Sequence, residues 1–171
     1  MEGRLLYLPE ARDRIVELCA RQPFLIQSLC NRVFEYAARS GARTITPSHV
    51  ETAVNEMIED NEHFQTLWGY AATERRRTIL ALCEQLARGD DPVNLALLEV
   101  KFEEAGVLVP RRSGLGSDLE FLRELELIEL DPSARRGSYT LTIPLMAEWI
   151  RRNVDFADLK RKAKKEAEEE L

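Results

Sequence analysis

Apolar residues recur along most of this chain at the spacing of amphipathic helices. Pro9 stands where a first helical residue tolerates proline. Ala11, Ile15, Leu18 and Cys19 follow on one face, which predicts a helix from about Pro9 to Ala20. Pro23 opens a second helix that reaches Arg39. Its Ile26, Leu29, Cys30, Val33, Phe34 and Ala37 form the strongest periodic signal in the chain, and Gly41 suits the left-handed residue that ends it. Thr44-Ile45-Thr46 reads as extended, and Thr46-Pro47 as an N-cap with a first-turn proline. Val50, Ala53, Val54, Met57 and Ile58 then line a third helix. Acidic Glu59–Glu62 interrupts the pattern before Phe64, Leu67 and Trp68 resume it.

Beyond Tyr70 the helical period starts again. Thr73 caps a helix that turns Ile79, Leu80, Leu82, Cys83 and Leu86 inward, and Gly89-Asp90-Asp91-Pro92 reads as a loop. A second helix covers about Asn94–Glu104 and stops at Gly106; a third runs from Ser117-Asp118 to about Leu125. There the period changes. Leu127, Ile128 and Leu130 read as a strand, Asp131–Gly137 as a turn, and Ser138–Ile143 alternates like a second strand. Pro144 opens a closing helix that carries Leu145, Met146, Trp149 and Ile150. Three helices, a hairpin and a helix, in that order, make a winged helix-turn-helix. The expected fold is therefore mainly α: a small helical bundle over 1–70, a winged helix-turn-helix with a short β-hairpin wing over 71–154, and a charged C-terminal helix or tail over 155–171. That last segment has only Phe156, Leu159, Ala163, Ala167 and Leu171 to bury, and its bases precede its acids against the helix dipole, so it reads as a solvated, fraying helix or the start of a further segment, with a docking or oligomerising helix as the alternative.

Composition agrees with a helical protein. The chain holds 8 Gly and 7 Pro among 171 residues, fewer breakers than the roughly 12% of an average protein. With 44% apolar and 32% charged residues a packed core is feasible. The net charge of −6 disfavours general affinity for phosphate backbones. No apolar run reaches membrane-spanning length, and the charged, proline-bearing start reads as no signal peptide. Cys19, Cys30 and Cys83 lie far apart in apolar stripes, as small core residues of a reducing compartment would, so a cytoplasmic location is expected. The absence of CxxC and of any Cys/His cluster leaves no expected metal site.

No constellation for catalysis stands out. The sequence has no GxxxxGK[ST], GxGxxG or GxSxG, and His49 and His63 read as surface residues. The chain is accordingly expected to catalyse nothing by itself. The stretch LPEARDRIVELCARQPFLIQSLCNRVFEYA, followed by TITPSHVETAVNEMIEDNEHFQTLWGYAATERRRTILAL, resembles the lid of a signal-transduction ATPase running into its winged helix. These ATPases form the STAND branch of the AAA+ class and include archaeal-type relatives. The likeness spans about residues 5–153, and its strength lies in the order and spacing of soft motifs.

The resemblance implies an AAA+ lid-like bundle in which Gln22 and Pro23 belong to a Gly-x-Pro site, its proline packed near the adenine. Arg21 stands where that family often has Gly, and no arginine occupies the first turn after Pro23. It also implies that ATP or ADP, with Mg, is held by a nucleotide-binding core these residues do not contain, and no cofactor by the chain itself. The parent would be an ATPase in signal transduction. Partners implied are that core, a further protein, or a second copy.

A DNA-reading winged helix would present a basic third helix to the groove. Ser117–Glu126 instead carries four acids and one arginine. The basic residues lie elsewhere: Arg75-Arg76-Arg77 open the domain, Arg111 and Arg112 precede the third helix, and Arg135 and Arg136 occupy the wing. The leading expectation is a non-catalytic regulatory module that couples nucleotide state to protein contacts. The alternative is a DNA-binding regulator that grips the phosphate backbone through Arg111, Arg112, Arg135 and Arg136.

Overall fold

Nine helices account for most of the residues described in this computed structural model, which covers 4–60, 62–131 and 137–170. The chain divides into two units: Met1–Glu62 with Ile143–Leu145, and His63–Thr142 with Met146–Leu171.

In the first unit, β1 (Leu6–Tyr7) leads into α1 (Pro9–Leu18), α2 (Pro23–Ser40), β2 (Thr44–Ile45) and α3 (Pro47–Asp60). The strands pair in parallel, Leu6 opposite Thr44 and Tyr7 opposite Ile45. Two residues are too few to leave a periodic trace, so β1 could not be read from the sequence. The inner face of α3 is the predicted one, with Val50, Ala53, Val54, Met57 and Ile58 all buried. The inner stripe of α2 differs from expectation. Leu25, Leu29, Val33 and Ala37 are buried, whereas Phe34 lies on the flank and is 61% exposed. A stripe drawn at four-residue steps from Leu25 satisfies the packing, and Phe34 falls one residue outside it.

The turn between α1 and α2 holds two non-glycine residues in the left-handed region, Ala20 (φ 48°) and Arg21 (φ 59°). Each such residue costs about 1–2 kcal/mol, and glycine's extra chain entropy would return about 0.5–1 kcal/mol of that relief. Arg21→Gly is therefore expected to stabilise the protein by about 0.5 kcal/mol, read as a higher urea midpoint at unchanged slope. A lower midpoint would show that the arginine side chain matters more than the strain.

The second unit takes α4 (Glu62–Tyr70) from its second residue onward, then α5 (Glu74–Leu86), α6 (Leu95–Glu104) and α7 (Gly116–Glu124). β3 (Ile128–Leu130), β4 (Tyr139–Leu141), α8 (Pro144–Asn153) from Met146, and α9 (Phe156–Glu169) complete it. The sequence pattern groups α4 with the preceding helices; here its aromatic side chains decide otherwise. Phe64 stacks on Trp149 of α8 at 6.2 Å between ring centroids, and Trp68 lies 5.7 Å from the same ring. Thr73 caps α5 as expected, its Oγ1 accepting from the Arg76 N–H, and Asn94, read as the first helical residue, instead caps α6, its Oδ1 accepting from the Leu97 N–H.

β3 and β4 run antiparallel, Ile128 opposite Leu141 and Leu130 opposite Tyr139. The Tyr139 N–H also donates to the Val93 carbonyl at 2.7 Å, tying the hairpin to the loop before α6. The core gathers Ile79, Leu80, Leu98, Phe102, Leu115, Leu119 and Leu122, all essentially inaccessible.

α9 corrects the expectation of a solvated, fraying helix. Leu159, Ala163 and Ala167 are buried, and Asp155 caps the first turn by accepting from the Ala157 and Asp158 N–H groups. Three small apolar positions at four-residue spacing suffice once α5 supplies a matching face.

Candidate functional site

The resemblance pointed to Gln22 and Pro23. Gln22 sits at the N-cap position of α2 in extended conformation and makes no side-chain cap bond; it is half-buried. Pro23 occupies the first helical position and is exposed, and Phe24 beside it is 60% exposed. The turn that delivers them passes through Arg21 at φ 59°, the region glycine favours, at the position where the resembled family often carries glycine.

The arginines of the second unit separate into three groups. Arg111 and Arg112 are exposed in the turn before α7, and no ion pair to a described carboxylate holds either. Arg135 and Arg136 lie outside the described residues. Arg75, Arg76 and Arg77, read from the sequence as a basic run opening the domain, are turned inward. Arg75 donates to Asp118 from Nε at 2.6 Å and from Nη2 at 3.4 Å, and Arg76 Nε reaches the other carboxylate oxygen at 2.9 Å. The Arg76 guanidinium also covers the Phe121 ring at 3.6 Å. Arg77 donates to the Trp68 carbonyl at 3.2 Å and to Glu74 at 2.6 Å.

Asp118 is the centre of this arrangement and only 1% exposed. Counted from the sequence among four acids facing outward, it instead points into the unit from the first turn of α7. There the helix dipole favours a carboxylate. Its hydrogen bond holds the Arg75 guanidinium above the ordinary arginine value, against the opposing effect of burial. A signal for this cluster was present in the sequence: three consecutive cations in the first turn of a helix oppose its dipole and call for an internal acid. Glu120, Glu124 and Glu126 are exposed, so the outer side of α7 and the turn after it is acidic.

A second layer comes from α9. Both oxygens of Glu166 accept from the first N–H groups of α5, Glu74 at 2.8 Å and Arg75 at 3.1 Å. Glu170 accepts from Arg75 Nη1 at 2.9 Å. α7 and α9, far apart along the chain, thereby meet at the start of α5.

Neither histidine is a free surface group. His49 is half-buried, its Nδ1 accepting from the Thr46 N–H at 3.2 Å, so it completes the cap of α3. Burial pushes the His63 imidazole below its ordinary value, and its ring meets Phe64 edge-on at 5.8 Å. Burial likewise pushes the Cys19 and Cys83 thiols up to about 12, away from nucleophilic chemistry. Among the described residues no group of three or more His, Cys, Asp or Glu is placed to hold a metal, and no helix is long and apolar enough to cross a membrane.

No protein-family model matches the chain, and comparison with curated proteins and with solved structures finds no significant match.

Proposed function

We propose that this chain is a non-catalytic regulatory and interaction module, a lid-like bundle joined to a winged helix-turn-helix that faces proteins rather than nucleic acid. The order α5, α6, α7, β3, β4, α8 supports the winged helix-turn-helix reading. The Arg21–Gln22–Pro23 turn supports the likeness to a signal-transduction ATPase lid. In that reading the bundle follows the nucleotide state of an ATPase core, and the winged helix docks on it or leaves it.

The observation that carries the protein-facing assignment is the inward clamp of Arg75 and Arg76 on Asp118. It turns two cations inward, away from any phosphate backbone, and leaves α7 presenting Glu120 and Glu124. Those carboxylates would be repelled and desolvated against a groove lined with phosphates. A second reading, DNA contact, is favoured by one feature, the exposure of Arg111 and Arg112 with no carboxylate partner among the described residues.

The test is a fluorescence-anisotropy titration with a mixed-sequence duplex, run beside binding of the chain to the cognate nucleotide-binding core in ADP and in ATP. The expected result is no duplex binding at physiological salt and core binding that depends on the nucleotide. Duplex binding that persists at physiological salt and disappears with Arg111→Ala plus Arg112→Ala would overturn the protein-facing assignment. Absence of core binding in both nucleotides would overturn the ATPase-lid reading.

A further inference from the structure

We infer that α9 is a releasable strap over α5, pinned at one end by the charges of Glu166 and Glu170. This inference does not rest on the lid or winged-helix reading.

Three features of α9 lead to it. First, only Val154 and Asp155 separate α9 from α8, so the hinge of a release lies there. Second, its two ends are held differently. Near its start Phe156 and Lys160 border a cleft of about 350 Å³, open to solvent, together with Leu82 and Leu86 of α5 and Lys101 and Glu104 of α6. Near its end Glu166 occupies two N–H groups at the start of α5, and Glu170 pairs with Arg75. Third, the apolar hold between them is small: Leu159, Ala163 and Ala167.

Alone, a helix of 14 residues is marginal in water, and in α9 the bases in the first half and the glutamates in the last oppose its dipole. Docking and helicity therefore stand or fall together. Glu170 is half exposed, so salt reaches the pin and weakens it. Release uncovers a stripe of α5 that includes Arg75, Leu82 and Leu86, which α9 otherwise keeps covered.

Hydrogen exchange on the full chain tests this. In Glu166→Ala plus Glu170→Ala, amides of 156–169 are expected to exchange at least tenfold faster, while α6 and α7 keep their protection. Alanine preserves helix propensity, so the loss reports the pin. Glu168→Ala plus Glu169→Ala removes the same charge from exposed positions and is expected to behave like the parent. High salt is expected to accelerate α9 in the parent and to change the pinless variant little. The inference is overturned if α9 loses protection only together with α6 and α7. It is equally overturned if the pinless variant matches the parent, if the exposed-position variant loses α9 protection as fully as the pinless one, or if salt leaves α9 exchange unchanged.

Discussion

Asp118→Ala is expected to lower the unfolding free energy by about 3–5 kcal/mol, because it strands two guanidiniums that share one buried carboxylate. The Arg75 side chain is 11% exposed and cannot recover its hydration without moving. Glu170 remains to pair with it, but on the solvent side and through a different nitrogen. A second comparison separates a lost attraction from an uncompensated charge. Asp118→Leu combined with Arg75→Met removes both partners, and it is expected to be clearly more stable than Asp118→Ala, since apolar replacements of a buried pair are often near neutral. Urea denaturation followed by circular dichroism reads both variants. Equal destabilisation of the single and the double variant would mean that side-chain packing, rather than charge, dominates at this position.

The second large effect is expected at Phe102, which is fully buried on α6 and packs in the core with Leu98 on the same helix. Phe102→Ala should cost about 3–5 kcal/mol through lost transfer energy and the cavity left behind. Phe34→Ala provides the contrast. The pattern along the chain gives Phe34 an inward place in a periodic helix, yet it is 61% exposed. Its truncation should shift stability by no more than about 0.5 kcal/mol. A loss at Phe34 comparable to that at Phe102 would mean that the flank of α2 is covered by something beyond its own unit.

The elements themselves were largely legible. α3 follows the predicted inner face residue by residue, since Val50, Ala53, Val54, Met57 and Ile58 repeat at a spacing only a helix uses. The cap at Thr73 and the left-handed end at Gly41 could be read because they are local. The hairpin could be read because alternation at Tyr139–Leu141 breaks a helical period. Illegible features were those in which one side chain serves a distant backbone. β1 exists because Leu6-Tyr7 meets Thr44-Ile45. α9 is docked because α5 offers it both an apolar stripe and uncapped N–H groups.

The candidate site divides along the same line. Gln22 and Pro23 begin α2 as a proline at a first helical position must, whereas the strain at Arg21 is visible only in the backbone angles. Arg111 and Arg112 are as exposed as a polar turn predicts. Arg75, Arg76 and Asp118 reverse their expected roles, because a charge count cannot tell a carboxylate facing solvent from one facing two guanidiniums.

Sequence by itself determined where most helices begin and end, the position of the hairpin and the acidic outer side of α7, because periodicity, caps and exposed charge act within a few residues. Only the tertiary structure decided which charges neutralise one another and that the last helix is seated, because those outcomes depend on distances between residues 42 to 95 positions apart.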